Sequence, residues 1–159
     1  MYSHKLFIDF SATDRFEECD YYFKKVIREA ILATLRHEDF PYDASVSVTL
    51  CDNAHIKKLN RKFRNKNSST DVLSFPMYDF RTECDIFAPG ETVELGDVVI
   101  SLERARVQAK EIGNTFLEEV AFLVVHSILH LLGYDHELST DEEEAQCRAQ
   151  REIVKTLDI

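Results

Sequence analysis

Apolar residues change their spacing several times along the chain, and each change marks a predicted element. Leu6, Ile8 and Phe10 alternate with polar neighbours, which predicts a first strand over 4–10. From about Asp14 to Arg36 the spacing becomes helical, carried by Phe16, Phe23, Val26, Ile27, Ala30, Ile31 and Leu35. Pro41 marks a turn, and Val46, Val48 and Leu50 alternate again as a half-buried strand. Asp52 is a candidate cap for a helix running to about Arg64. Strands are predicted over 72–77 and 95–100, and residues 79–94, containing Pro89-Gly90, read as a mobile loop or a loosely ordered hairpin. Ser101 caps a helix through about Glu111, which Gly113 breaks. Thr115 with Glu118 forms a capping box for a helix over 116–132, and Thr140 with Glu143 for a last helix ending near Leu157. Glu142 to Glu144 fall in that last helix's first turn, where they meet the positive end of its dipole. The sum is one α/β or α+β domain over 1–159, with about four strands in a mixed sheet and about five helices.

The helix over 116–132 differs from the others in being apolar nearly all round, which predicts a central, buried position. Within it stand His126 and His130, four residues apart and so one turn apart on one face. Two imidazoles buried without partners would each cost roughly 1–3 kcal/mol. A shared metal ion removes that cost. Gly133 ends the helix and lets the chain bring back His136 as a third ligand. Three nitrogen ligands with an open fourth position describe a catalytic rather than a structural ion. Neutral imidazoles suit Zn2+, with nickel, copper or iron as alternatives. Such an ion can lower the pKa of a bound water to about 7. Ser127 follows the first histidine where peptidases of the H-E-x-x-H type carry their glutamate base, which argues against that mechanism.

Composition is that of an ordinary globular domain, 45% hydrophobic and 30% charged over 159 residues. The opening MYSHKLFIDF is too short and too alternating for a signal peptide, and no transmembrane candidate appears, so the cytoplasm is expected. Cys19, Cys51, Cys84 and Cys147 are scattered without a C-x-x-C pair, and reduced structural thiols are expected. A net charge of −10 argues against a nucleic-acid partner until its distribution is read. Residues 57–66, KKLNRKFRNK, hold six basic side chains and no acidic one. Phosphate attraction depends on such a local footprint. An ordinary solvated helix face is the alternative reading.

The run HSILHLLGYDH at 126–136 resembles the H-G-x-L-H-L-x-G-Y-D-H signature of the YbeY family, bacterial endoribonucleases of ribosomal RNA maturation. Ser127 replaces the usual glycine. NRKFRNKNSSTDVLSF at 60–75 is similar to the family's segment in which an arginine precedes T-D-V-L-S-F, and GDVVIS at 96–101 to its strand motif. The resemblance spans roughly residues 45–140. It implies the same kind of architecture, a metal-dependent endoribonuclease, and a ribosomal RNA or small-subunit partner, with no membrane. It also implies that Arg64 is essential. Guanidinium chemistry points to the same residue, since Arg64 can grip a phosphate through two parallel bonds. Asp135 is a candidate to orient a ligand imidazole, or simply a turn residue. Tyr134 reads as packing. Thr70, Asp71 and Ser74 either shape a cleft or serve as turn and capping residues. A non-catalytic ribosome assembly factor with a stabilising metal, and a metallohydrolase for another substrate, remain as alternatives.

Overall fold

The computed structural model describes residues 4–81, 87–88, 90–135 and 139–159. In chain order the elements are β1 (Leu6–Ala12), α1 (Tyr21–His37), β2 (Asp43–Cys51), α2 (Asn53–Arg64), β3 (Val72–Pro76), β4 (Thr92–Ser101), α3 (Leu102–Ile112), α4 (Phe116–Leu131) and α5 (Thr140–Lys155). The strands form one mixed sheet in the order β1-β2-β4-β3. β1, β2 and β4 run parallel, and β3 pairs antiparallel with β4. Among the described residues these are the four strands of a mixed sheet and the five helices of the α+β fold that the patterning predicts.

The two faces of the sheet are packed unequally. On one, Val48, Leu50, Val98 and Ile100 pack with Ile27 and Ile31 of α1 and Val124 and Ile128 of α4 in the main core. Residues of opposite phase, Cys51, Leu73 and Val99, form a smaller cluster with Ile56 of α2. α4 contacts α1, α3, α5, β3 and β4, so the most apolar helix is also the most central. Burying each of its large aliphatic side chains contributes roughly 1.5–3 kcal/mol.

β1 runs two residues later than the patterning, and three other boundaries differ from it for a local reason. α1 starts at Tyr21, not near Asp14, because the Asp20 side chain accepts the Phe23 N–H at 2.9 Å and caps the helix there. Phe16 packs against the core from outside the helix. α5 is capped by Ser139, which accepts from the Glu142 N–H, one residue earlier than the Thr140–Glu143 box. β4 begins at Thr92, so the end of the predicted 79–94 loop is strand. Its inward residues change phase, from Val93 and Leu95 to Val98 and Ile100, across a register shift against Ser45 and Ser47. That slip interrupts the alternation that would have shown the strand's first half. Gly96 sits at the slip with φ 134°, and a Cβ there would lie 2.2 Å from the Phe75 carbonyl oxygen. Only glycine fits. The sequence expectation for 82–86 and 89 lies outside the described residues.

Candidate active site

α4 exposes one stripe. Phe122 is exposed and His126 and His130 half-buried, while the positions between them, 123–125 and 127–129, are all buried. The two histidines open into a cleft of about 210 Å³ that is also lined by Arg64, Asp135 and residues 72–74 of β3. The fold therefore brings together His126, His130 and Arg64 from segments more than sixty residues apart. His136 lies outside the described residues. Among the described residues no three His, Cys, Asp or Glu side chains gather as a metal set.

The imidazoles are held from behind. His130 Nδ1 donates to the Tyr134 carbonyl at 2.8 Å. A carbonyl can only accept, so in the neutral ring Nε2 carries the lone pair that a metal requires. The turn that supplies this carbonyl is itself fixed: the Tyr134 N–H reaches the Leu129 carbonyl, and Arg81 Nε donates to the Gly133 carbonyl at 2.7 Å. The Arg81 guanidinium also pairs with Glu142 of α5 at 2.7 Å. At His130 the role sought for Asp135, holding the second ring N–H, thus falls to a backbone carbonyl. Burial, then a hydrogen bond to Glu38, pushes the Tyr134 phenol up to about 12, so this side chain stays neutral and structural, as its sequence context suggests.

His126 is backed by Gln146 of α5, whose amide nitrogen lies 3.3 Å from both Nδ1 and the carbonyl oxygen of His126. Gln146 is buried, and its Oε1 has no hydrogen-bond partner among the described residues. Turned over, this amide would present Oε1 to Nδ1–H and leave the Nε2 lone pair for an ion, at the cost of its bond to the His126 carbonyl. The donor set and this orphaned acceptor fit a metal held through the Nε2 atoms of both rings.

Opposite the histidines, β3 is an edge strand. Ser101 N–H donates to the Asp71 carbonyl and Met77 N–H to the Leu95 carbonyl. Odd-numbered residues therefore pair with β4, and Val72, Ser74 and Pro76 turn their backbone groups to the open edge. Val72 N–H is taken by the Asp71 carboxylate at 2.7 Å, and proline has none. Ser74 thus supplies the outward N–H beside the cleft. Its hydroxyl is bonded at 2.6 Å to Ser127, which is fully buried. The residue standing where glycine is usual in the motif therefore ties α4 to β3. Asp71 also accepts from Gln108 and acts as a structural residue.

Arg64 is the last residue of α2, and all six basic side chains of residues 57–66 are exposed. Asn60 secures the turn beyond it, donating to the Ser68 carbonyl while its own carbonyl accepts from Lys66 N–H. Arg81, Gln146 and the Ser74–Ser127 bond escape sequence reading, because each acts through a tertiary contact without a motif of its own. A larger groove of about 720 Å³ runs between α1 and residues 153–159, but it contains neither site histidine. Cys51 is buried, and burial pushes its thiol up to about 12, in keeping with a structural cysteine. Cys84 lies outside the described residues.

Paired imidazoles, an arginine and an outward backbone donor around one cleft make this the candidate site for an anionic substrate on an α+β fold. The chain matches the family described as Endoribonuclease YbeY over residues 9–158, and it belongs to that family. It is 48% identical over 133 residues to Endoribonuclease YbeY of Caldanaerobacter subterraneus, covering 81% of this chain and 83% of the relative. It is 39% identical over 145 residues to that of Caldicellulosiruptor bescii, covering 89% and 91%. The solution structure of TM1509 from Thermotoga maritima superposes with a TM-score of 0.59 at 27% identity, covering 93% of this chain and 87% of that one.

Proposed function

We propose that this protein is a single-strand-specific, metal-dependent endoribonuclease that processes ribosomal RNA and serves ribosome maturation and quality control in the cytoplasm, on the small subunit or its proteins. Membership of an endoribonuclease family supports RNA cleavage. The observation that carries the assignment of the site is the convergence of His126, His130 and Arg64 on one cleft. His126, His130 and His136 would hold one ion of the zinc class. When bound, such an ion supplies a water activated near neutral pH and a Lewis acid for a phosphodiester oxygen.

The protein's own groups do the rest. Tyr134 and Gln146 orient the rings. Arg64 takes the non-bridging oxygens of the scissile phosphate and meets the charge that builds on them. The Ser74 N–H stands at the opposite wall as a second donor. The exposed cations of α2 draw the strand in. The three-ligand reading favours this enzyme over an assembly factor with a purely structural ion, which four ligands would close.

Purified protein should bind one divalent ion per chain and cut single-stranded RNA. His130→Ala should lose both properties. Arg64→Ala should keep the ion and the unfolding midpoint but lose about 10²–10³ in rate. Arg64→Lys should recover little, because a point charge cannot reproduce a bidentate grip. Metal retained unchanged in His130→Ala, or full cleavage by Arg64→Ala, would overturn these assignments.

A further inference from the structure

α2 buries Ile56 and Asn60, and the face it turns to water is basic. Phe63 lies on the buried stripe, two turns on from Ile56. Yet 57% of its surface is exposed. The ring is held in place: it packs edge-to-face with Phe75 at 5.3 Å, and the Lys62 ammonium lies 5.1 Å from its centroid. Phe63 precedes Arg64, which lines the cleft. Its partner Phe75 follows Ser74 on the edge strand β3 and turns to the α2 side, so the exposed ring stands beside the cleft, around that edge.

We propose that Phe63 is a stacking platform for an unpaired RNA base adjoining the phosphate that Arg64 takes. The proposal rests on the reading of this site as a ribonuclease and adds what the site recognises. Every base has a π-face, so one aromatic ring binds single strands without choosing a sequence. Bases in a duplex already stack on each other and cannot use the ring without being splayed out. The platform therefore accounts for single-strand preference with no base-specific contact. A protein partner fits the patch less well, since protein interfaces gather several apolar side chains and exclude lysine from their centres. Here the exposed ring has the Lys62 ammonium against it.

The test is equilibrium binding of the full chain and its variants to a single-stranded RNA oligomer, to the same strand with one abasic position moved along it, and to a duplex. Phe63→Leu, which keeps an apolar contact with Phe75, should weaken single-strand binding about tenfold or more, the loss of one base–aromatic stack. Phe63→Trp should preserve it. In the wild-type chain one abasic position should reproduce the loss, and in Phe63→Leu that position should cost nothing further. Duplex binding should be the same in all three proteins. A flat abasic scan, or wild-type affinity in Phe63→Leu, would overturn the platform while leaving the ribonuclease reading intact. Absence of any RNA binding by the wild-type chain would overturn both.

Discussion

Glu119 shows what a single buried carboxyl can do in this fold. It is 2% exposed on α4, accepts from Gln108 at 3.3 Å, and its second oxygen has no partner among the described residues. Burial holds its carboxyl above the usual carboxylate range, against the bond from Gln108, and the charge of Asp71 adds to the effect. An acid whose folded pKa is raised stabilises the fold fully below its unfolded pKa and loses that contribution as pH rises through the folded value. Glu119→Gln should therefore raise the unfolding midpoint at neutral pH. The gain should shrink as pH falls toward about 4.3, the ordinary glutamate value. Thermal unfolding across a pH series checks both the sign and the window. Gly96 makes a different residue-scale demand. The 2.2 Å approach of a Cβ to the Phe75 carbonyl means that Gly96→Ala must push β3 away from β4. Because β3 is a wall of the cleft, this variant should lose RNA cleavage along with several degrees of thermal stability. A fully active, equally stable Gly96→Ala would show that the strands adjust at no cost.

At the scale of elements, α2 carries the interplay of charge and function. Its exposed cations, Arg61, Lys62 and Arg64, occupy the last turn, where they also meet the negative end of the helix dipole. Part of the strip thus has a structural reason to exist, and RNA attraction is the part a salt series can isolate. Replacing Lys58 and Lys62 with Gln should flatten the dependence of log affinity on log salt, whose slope is roughly 0.7 per neutralised phosphate on single strands. The single-turnover rate at saturating RNA should change little. An unchanged slope would mean that the strip faces bulk solvent only.

The same scale shows what the sequence could and could not disclose. α4 was legible because hydrophobicity all round, a Thr115–Glu118 box and a histidine pair at helical spacing agree with one another. α2, β2 and α3 were legible through Asp52, the Val46–Val48–Leu50 alternation and the Ser101–Gly113 bracket. The first half of β4 was hidden because a register shift breaks alternation, and the start of α1 because Phe16 continues a helical spacing across a cap. Within the site, His126, His130 and Arg64 could be named from residue type and motif. Gln146 and Arg81 could not, because their work depends on which elements pack together.

For the whole molecule, the joint between the first and last helices is titratable. His37 at the end of α1 sits between Glu38 at 2.6 Å and Glu152 of α5 at 2.7 Å, each ring nitrogen facing a carboxylate. Burial alone would lower its pKa, but the bonds to Glu152 and Glu38 outweigh this and hold it above the ordinary value. A histidine with a raised folded pKa stabilises the fold fully below its unfolded pKa and loses that contribution as pH rises through the folded one. Wild type should therefore exceed Glu152→Gln in unfolding midpoint at about pH 6, and the difference should fade on the alkaline side of the ordinary histidine value near 6.5. Equal differences at both ends of the range would remove His37 from the account. Glu38 also holds the Tyr134 phenol, so the joint reaches the turn behind His130.

The placement of Gln146 behind His126 has a consequence for how the protein is made. α5 is the last element of the chain, and it supplies both the amide that backs one histidine and, through Glu142, the anchor for the arginine that fixes the turn behind the other. Chains emerge from the N-terminal end first, and long-range contacts form only when both partners exist. A nascent chain that already displays His126, His130 and Arg64 thus lacks the scaffolding that holds the imidazoles at a common point.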